Sequence, residues 1–251
     1  MTKLKEIVLF LNKYLDHEKF PEDSSWNGLQ VEGKEEVGKI VFGVTAGVDL
    51  FKKAKEKNAD MIICHHGLFW KQANPSISGW QKDRVSFLLE NKMSFYASHL
   101  PLDAHPDYGN NVEILKILDA KVKDKFSYRK GENIGWIGEC KSTPLEEIVQ
   151  KLKKSINADC IVLDYGKKEV KNIAVVSGGA PYDVFEAIEK EVDLFITGDA
   201  ADVLEVVKDA KINVIFAGHY ATETTGIKAL LKVVEEKFDI KASFIDVPTN
   251  L

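Results

Sequence analysis

The sequence predicts an α/β protein whose strands are mainly parallel. Short apolar, β-branched runs alternate with amphipathic stretches from one end of the chain to the other, the pattern of βαβ units. The second half repeats the alternation of the first. Several strands end in Gly or His, and in open α/β sheets the carboxyl ends of strands are where ligand sites collect.

The elements follow in order. Leu4, Ile7, Val8, Leu11 and Leu15 share one face of a helix over 3–16. A polar loop over 21–30 contains Trp26 and Asn27-Gly28, which suggest an ordered turn. A strand over 39–45 and a helix over 49–57 lead into Met61-Ile62-Ile63-Cys64-His65-His66-Gly67, a short buried strand that stops at the glycine. A helix over 81–91 and a strand over 94–98 come next. The segment 98–107 then carries His99, Asp103, His105 and Asp107, and its two prolines argue for a loop without regular structure. Gly109-Asn110-Asn111 opens a helix to about Leu118.

Residues 119–133 are rich in Lys, Asp and Gly with little apolar periodicity, so the domain boundary is placed there. The expected units are 1–125, carrying His65, His66 and Asp103, and 126–251, carrying His219 and Glu223. In the second, a strand over 133–139 precedes Thr143-Pro144-Leu145-Glu146, a helix start with Thr143 as N-cap. Strands are expected over 160–164, 172–177, 193–197, 213–217 and 242–246, with helices over 182–191, 201–209 and 222–237. The turn Ser177-Gly178-Gly179-Ala180 resembles a phosphate cradle but lacks a Walker lysine, and is read as structural.

Composition limits the function classes. The 251 residues carry a net charge of -5, which speaks against a broad nucleic-acid surface and leaves a local basic patch open. Three cysteines in no Cys-x-x-Cys pair argue against a disulfide framework or zinc ribbon and for a reducing cytoplasm. Cys64, on an apolar strand, reads as a core thiol. No apolar run is long enough for a membrane span, and the N-terminus does not read as a signal peptide. A soluble, cytoplasmic protein is expected.

Four of the six histidines, His65, His66, His99 and His219, lie at or just after strand ends. Side chains alternate along a strand, so His65 and His66 are expected to point in opposite directions, which suits two neighbouring ions better than one. A buried, hydrogen-bonded histidine beside an exposed one is the other reading. His219 and Glu223 stand four apart, one helical face if the helix begins there. The donors are imidazole and carboxylate without thiolate, a set for Zn, Mn, Fe, Co or Ni rather than a structural zinc knot. Two such ions activate water for attack on an electrophilic centre. His99 and His105 are read as supporting or structural groups, and Trp26, Trp70 and Trp80 as packing residues that could also stack on a base.

Asn27-Gly28-Leu29-Gln30-Val31, His65-His66-Gly67, Ser98-His99-Leu100-Pro101-Leu102-Asp103 with Gly109-Asn110-Asn111, and Gly218-His219 with Thr222-Glu223 occur in one order. In this the chain resembles the Nif-three-like (NGG-interacting-factor-like) family, whose members are often labelled GTP cyclohydrolase I type 2 homologues. The resemblance covers nearly the whole length. It implies two similar, intertwined α/β/α units, a dinuclear site of two divalent metal ions in a cleft between them, and a homohexameric ring. The implied ligands are His65, His66, Asp103, His219 and Glu223, with Glu223 bridging both ions.

Two functions follow. The first is a metal-dependent hydrolase acting on a nucleotide or similar small molecule, in which Glu223 and Asp103 hold the ions and His99 or Asp107 moves protons. The alternative is a non-enzymatic metal-binding ring acting as scaffold, metal-delivery or DNA-binding factor, of which the acidic balance makes DNA binding the weaker version. No membrane partner is expected.

Overall fold

The computed structural model describes residues 1–129 and 131–249. The chain divides into two compact units. Unit 1 comprises Met1–Leu102 and Ile227–Val247; unit 2 comprises Asp103–Gly226 and, among the described residues that follow, 248–249.

Unit 1 begins with β1 (Thr2–Lys3) and α1 (Leu4–Tyr14), which buries Leu4, Ile7 and Leu11 as its periodicity predicts. There follow β2 (Gly28–Val31), β3 (Glu36–Val37), β4 (Lys39–Thr45), α2 (Val48–Glu56), β5 (Met61–His66), α3 (Trp80–Glu90) and β6 (Ser94–Ala97). The chain leaves unit 1 within α4 (Leu100–Ala104).

Unit 2 then runs through α5 (Asn110–Ile117), β7 (Lys121–Arg129), β8 (Glu132–Pro144), α6 (Leu145–Ser155), β9 (Ile161–Asp164), β10 (Glu169–Val176), α7 (Val184–Glu189), β11 (Leu194–Thr197), α8 (Leu204–Ala210) and β12 (Asn213–Phe216). The long α9 (His219–Phe238) carries the chain back, and β13 (Lys241–Phe244) completes unit 1.

The main sheet of unit 1 has the order β13-β4-β5-β6-β2, in which every neighbour is parallel except β2 on β6. β4, β5 and β6 are buried along almost their whole length, which is why they read as continuous apolar runs rather than alternating ones. Unit 2 has the order β7-β8-β10-β11-β12-β9. Here β10, β11 and β12 form a parallel centre, and the outer pairings are antiparallel. Ile173, Val175, Leu194, Ile196 and Ile215 from this centre pack into one apolar core.

Several sequence expectations are corrected. Residues 121–129 are a strand, paired with β8 from Lys121–Glu139 to Arg129–Glu132. The division therefore falls at 102/103 rather than 125/126, Asp103 belongs to unit 2, and unit 1 is completed by a returning segment. Part of the 21–30 loop is edge strand β2, and the proline segment 98–107 contains α4, where Pro101 sits in the first turn and costs no interior hydrogen bond. Thr143 does not cap α6. It lies in β8, where its hydroxyl donates to the Lys141 carbonyl.

Candidate metal centre

In unit 1 three adjacent parallel strands deliver their ends together. β4 ends at Thr45, β5 at His66, and His99 follows β6 by two residues. The ring centroids of His65 and His66 are 4.7 Å apart, so the alternation expected of a strand does not separate them at its end. Each is anchored on a different neighbour. His65 Nδ1 lies 3.0 Å from the Ser98 carbonyl, and His66 Nδ1 lies 3.0 Å from Thr45 Oγ1. His99 Nδ1 is 2.8 Å from Asp23 Oδ1. A carbonyl and a carboxylate accept only, so His65 and His99 carry their protons on Nδ1, and Nε2 is the ligating nitrogen they can offer. Ligand atoms of His65, His66 and His99 lie within 4.8 Å of one another.

Asp23 is the organiser of this cluster. Besides His99 it accepts from the backbone N–H of Ser25 and Leu100 and from Asn27 Nδ2. Burial works against its charge, but these donors, His99 foremost, prevail and hold its carboxyl at about 2.

Unit 2 repeats the plan with different chemistry. β10, β11 and β12 are followed by Ser177-Gly178, Gly198-Asp199 and Gly218-His219. α9 begins at His219, three residues before the predicted start, so His219 and Glu223 share its first turn. His219 Nε2 is 3.1 Å from Glu223 Oε1, and its Nδ1 is 3.0 Å from Asp199 Oδ2. Burial opposes the imidazolium, yet hydrogen bonds and charge from Glu223 and Asp199 outweigh it and raise His219 to about 9. Asp103 is buried and accepts from Asn110 Nδ2 at 2.9 Å and Ser177 Oγ at 2.8 Å.

Gly178 keeps the space beside the pair. A Cβ there would lie 2.4 Å from Glu223 Oε1 and 3.3 Å from His219 Nε2, and its φ of +65° already favours glycine. Its peptide N–H donates to Thr222 Oγ1, tying the turn after β10 to the first turn of α9.

These residues fit a metal. Tethered Nδ1 with Nε2 as the ligating atom is how metal-binding histidines are usually held. Within unit 2 the carboxylates Asp103 and Glu223 are hard donors. The thiols of Cys64, Cys140 and Cys160 are buried, and burial pushes each of them up, away from the thiolate form.

The sequence profile of Duf34/NIF3 (NGG1p interacting factor 3) matches residues 2–250. The chain belongs to the Duf34/NIF3 family. A GTP cyclohydrolase 1 type 2 homolog of Pyrococcus abyssi is 46% identical over 250 residues, 98% of this chain and 99% of that protein. The solved structure of the protein ybgI is 35% identical with a TM-score of 0.92, and that of TTHA1606 from Thermus thermophilus is 36% identical with a TM-score of 0.89. Both match over 100% of this chain and of their own. The Duf34/NIF3 chain thus has an α/β fold and His/Glu groups that could bind a metal, and none of its described helices is long and apolar enough to cross a membrane.

Of the residues singled out in the Duf34/NIF3 sequence, His105 accepts at Nδ1 from the N–H groups of Asp107 and Tyr108. Asp107 is exposed. In the turn after β10 the Ser177 hydroxyl donates to Asp103 Oδ1. Sequence reasoning passed over Asp23 and Asp199. Asp199 stands at a strand end like the histidines and could have been picked out on that ground. Asp23, in a loop 76 residues from His99, gave no such signal.

Proposed function

We propose that this chain is a metal-dependent hydrolase that binds two divalent ions and acts on a nucleotide or similar small molecule. In this reading His65, His66, Asp103, His219 and Glu223 would hold the ions, Glu223 being the carboxylate proposed to serve both. The observation that carries it is the tethering of Nδ1 on the three proposed histidine donors, His65, His66 and His219, at the ends of parallel strands. The name borne by the relatives, GTP cyclohydrolase 1 type 2 homolog, agrees with a hydrolytic role.

Bound there, the ions would supply Lewis acidity and make a coordinated water more acidic. The chain's own groups do the rest. Ser177 and Asn110 fix the carboxylate of Asp103, and Asp199 fixes the ring of His219. His99 takes and returns a proton at Nε2, while Asp23 holds its Nδ1–H and stabilises the imidazolium that forms. The expected hexameric ring belongs to the same proposal, and sedimentation of the 28.1 kDa chain checks it.

The decisive measurement is metal content per chain, for wild type and for Glu223→Ala, followed by a panel of nucleotides and phosphoesters. About two ions in the wild type, falling to one or none in the variant, with turnover of a panel member, is the expected result. No retained metal after reconstitution would sink the donor assignment. Metal without turnover would turn the reading towards a metal-binding protein with no catalytic role.

A further inference from the structure

We propose that the cavity lined by Trp26, Leu29, Phe69, Trp70, Asn74 and Gln81 in unit 1 is a subsite for a planar nitrogen heterocycle of the nucleobase class. The inference rests on the hydrolase reading and names the part of the substrate that this chain grips.

The cavity has a volume of about 320 Å³. That lies at the lower end of the range for small-molecule sites, roughly 300–1,000 Å³. Its walls are built before any ligand arrives. The Trp26 N–H donates to the Phe69 carbonyl at 3.1 Å, the Lys71 N–H to the Ser24 carbonyl at 2.8 Å, and Ser25 pairs with Trp70 in an isolated bridge. The carboxamide of Gln30 clamps the same two segments, accepting from the Leu68 N–H and donating to the Trp26 carbonyl. Gly67 leaves room for that clamp, since a Cβ on it would come within 2.3 Å of Gln30 Nε2.

Two features point to the ligand's chemistry. Trp26 is 56% exposed and offers its indole to the cavity, and Trp70 forms a second aromatic wall. Gln81 is only 7% exposed and lines the cavity, where its carboxamide is the polar group of the wall beside Asn74. A carboxamide places a donor beside an acceptor. The edge of a nucleobase has that same arrangement, and its faces stack on indole. Trp70 also fixes where the heterocycle sits relative to the chemistry, because its ring centroid is 5.7 Å from that of His66 and 5.2 Å from that of His99.

The test is calorimetric titration of the full-length, chelated protein with adenosine, guanosine, uridine and, as control, ribose. At least one nucleoside should bind and ribose should not. Trp26→Ala, at an exposed position, should weaken binding by roughly ten-fold or more, the worth of a stacked base. Gln81→Leu, of similar size but without the carboxamide, should weaken it by roughly five- to ten-fold. Both variants should retain the wild-type metal content. The subsite is overturned if no nucleoside binds more tightly than ribose, or if both variants bind as the wild type does. Because metal is absent from the titration, the two readings fail separately. Full metal content with no nucleoside binding ends the subsite alone, and nucleoside binding by a chain that never retains metal ends the metal reading alone.

Discussion

At the scale of single residues, what separates the histidines is which ring nitrogen is used and what it meets. His65, His66, His99 and His219 turn Nδ1 onto an anchor, whereas His17 turns Nε2 onto Ser98 Oγ at 3.0 Å and stacks on Tyr96 at 5.7 Å between centroids. Burial pushes His17 down from 6.5 to about 4, with Asp23 and Asp16 opposing. The folded state therefore keeps it neutral while the unfolded chain takes up a proton. Stability from this residue is complete above pH 6.5 and is lost as pH falls through the window down to 4. The loss should be on the order of 2–3 kcal/mol. His17→Gln keeps a hydrogen-bonding group there and should flatten the decline in Tm of the chelated protein over that window. Parallel Tm curves for wild type and variant would mean that burial of His17 contributes nothing. The histidines themselves were legible in the sequence because they punctuate apolar strands. Their tautomers were not, since these depend on Thr45, Ser98, Asp23 and Asp199, which lie 20 to 76 residues away along the chain and meet them only through the fold.

At the scale of elements, buried strands were easy to read and edge strands were not. β4 spans the predicted 39–45, because a strand covered on both faces is apolar throughout. β7 passed for a linker for the opposite physical reason. It is the edge of its sheet, and most of its length from Lys121 to Lys125 faces solvent, so charge replaces periodicity. Phe126 is the exception, fully buried with its ring 5.9 Å from Phe195 in edge-to-face contact. Phe126→Ala should therefore cost about 3–5 kcal/mol in a denaturant titration, the range for a buried aromatic. A cost below about 0.5 kcal/mol, ordinary for a surface change, would restore the linker reading. α9 shows the converse. Its apolar periodicity marked the body of the helix, but its first turn is written in His219, Thr222 and Glu223, residues used for the site and for the tie to Gly178 rather than for packing. Patterning sees only what a helix buries.

At the scale of the whole molecule, the order of the chain is not the order of the units. A boundary sought in composition assumes that each unit is one continuous segment, whereas β13 pairs in parallel with β4 some 200 residues earlier and so returns the chain to unit 1. The proposed donors are divided accordingly, His65 and His66 in unit 1, and Asp103, His219 and Glu223 in unit 2. An ion that binds the folded chain and not the unfolded one stabilises it by mass action, by about 2.7 kcal/mol for each site at a hundred-fold excess over Kd. For a chain of this length each kcal/mol moves Tm by roughly 2–4 °C. Two filled sites should then raise Tm by roughly 10–20 °C above that of the chelated protein, with a concentration dependence that follows the ion. Glu223→Ala should recover less than half of that rise, because the carboxylate proposed to serve both ions is gone while the imidazoles remain. A wild-type chain that melts at one temperature with and without saturating metal would show that the native state does not bind the ion. A full rise in the Glu223→Ala chain would keep the metal and remove the bridge.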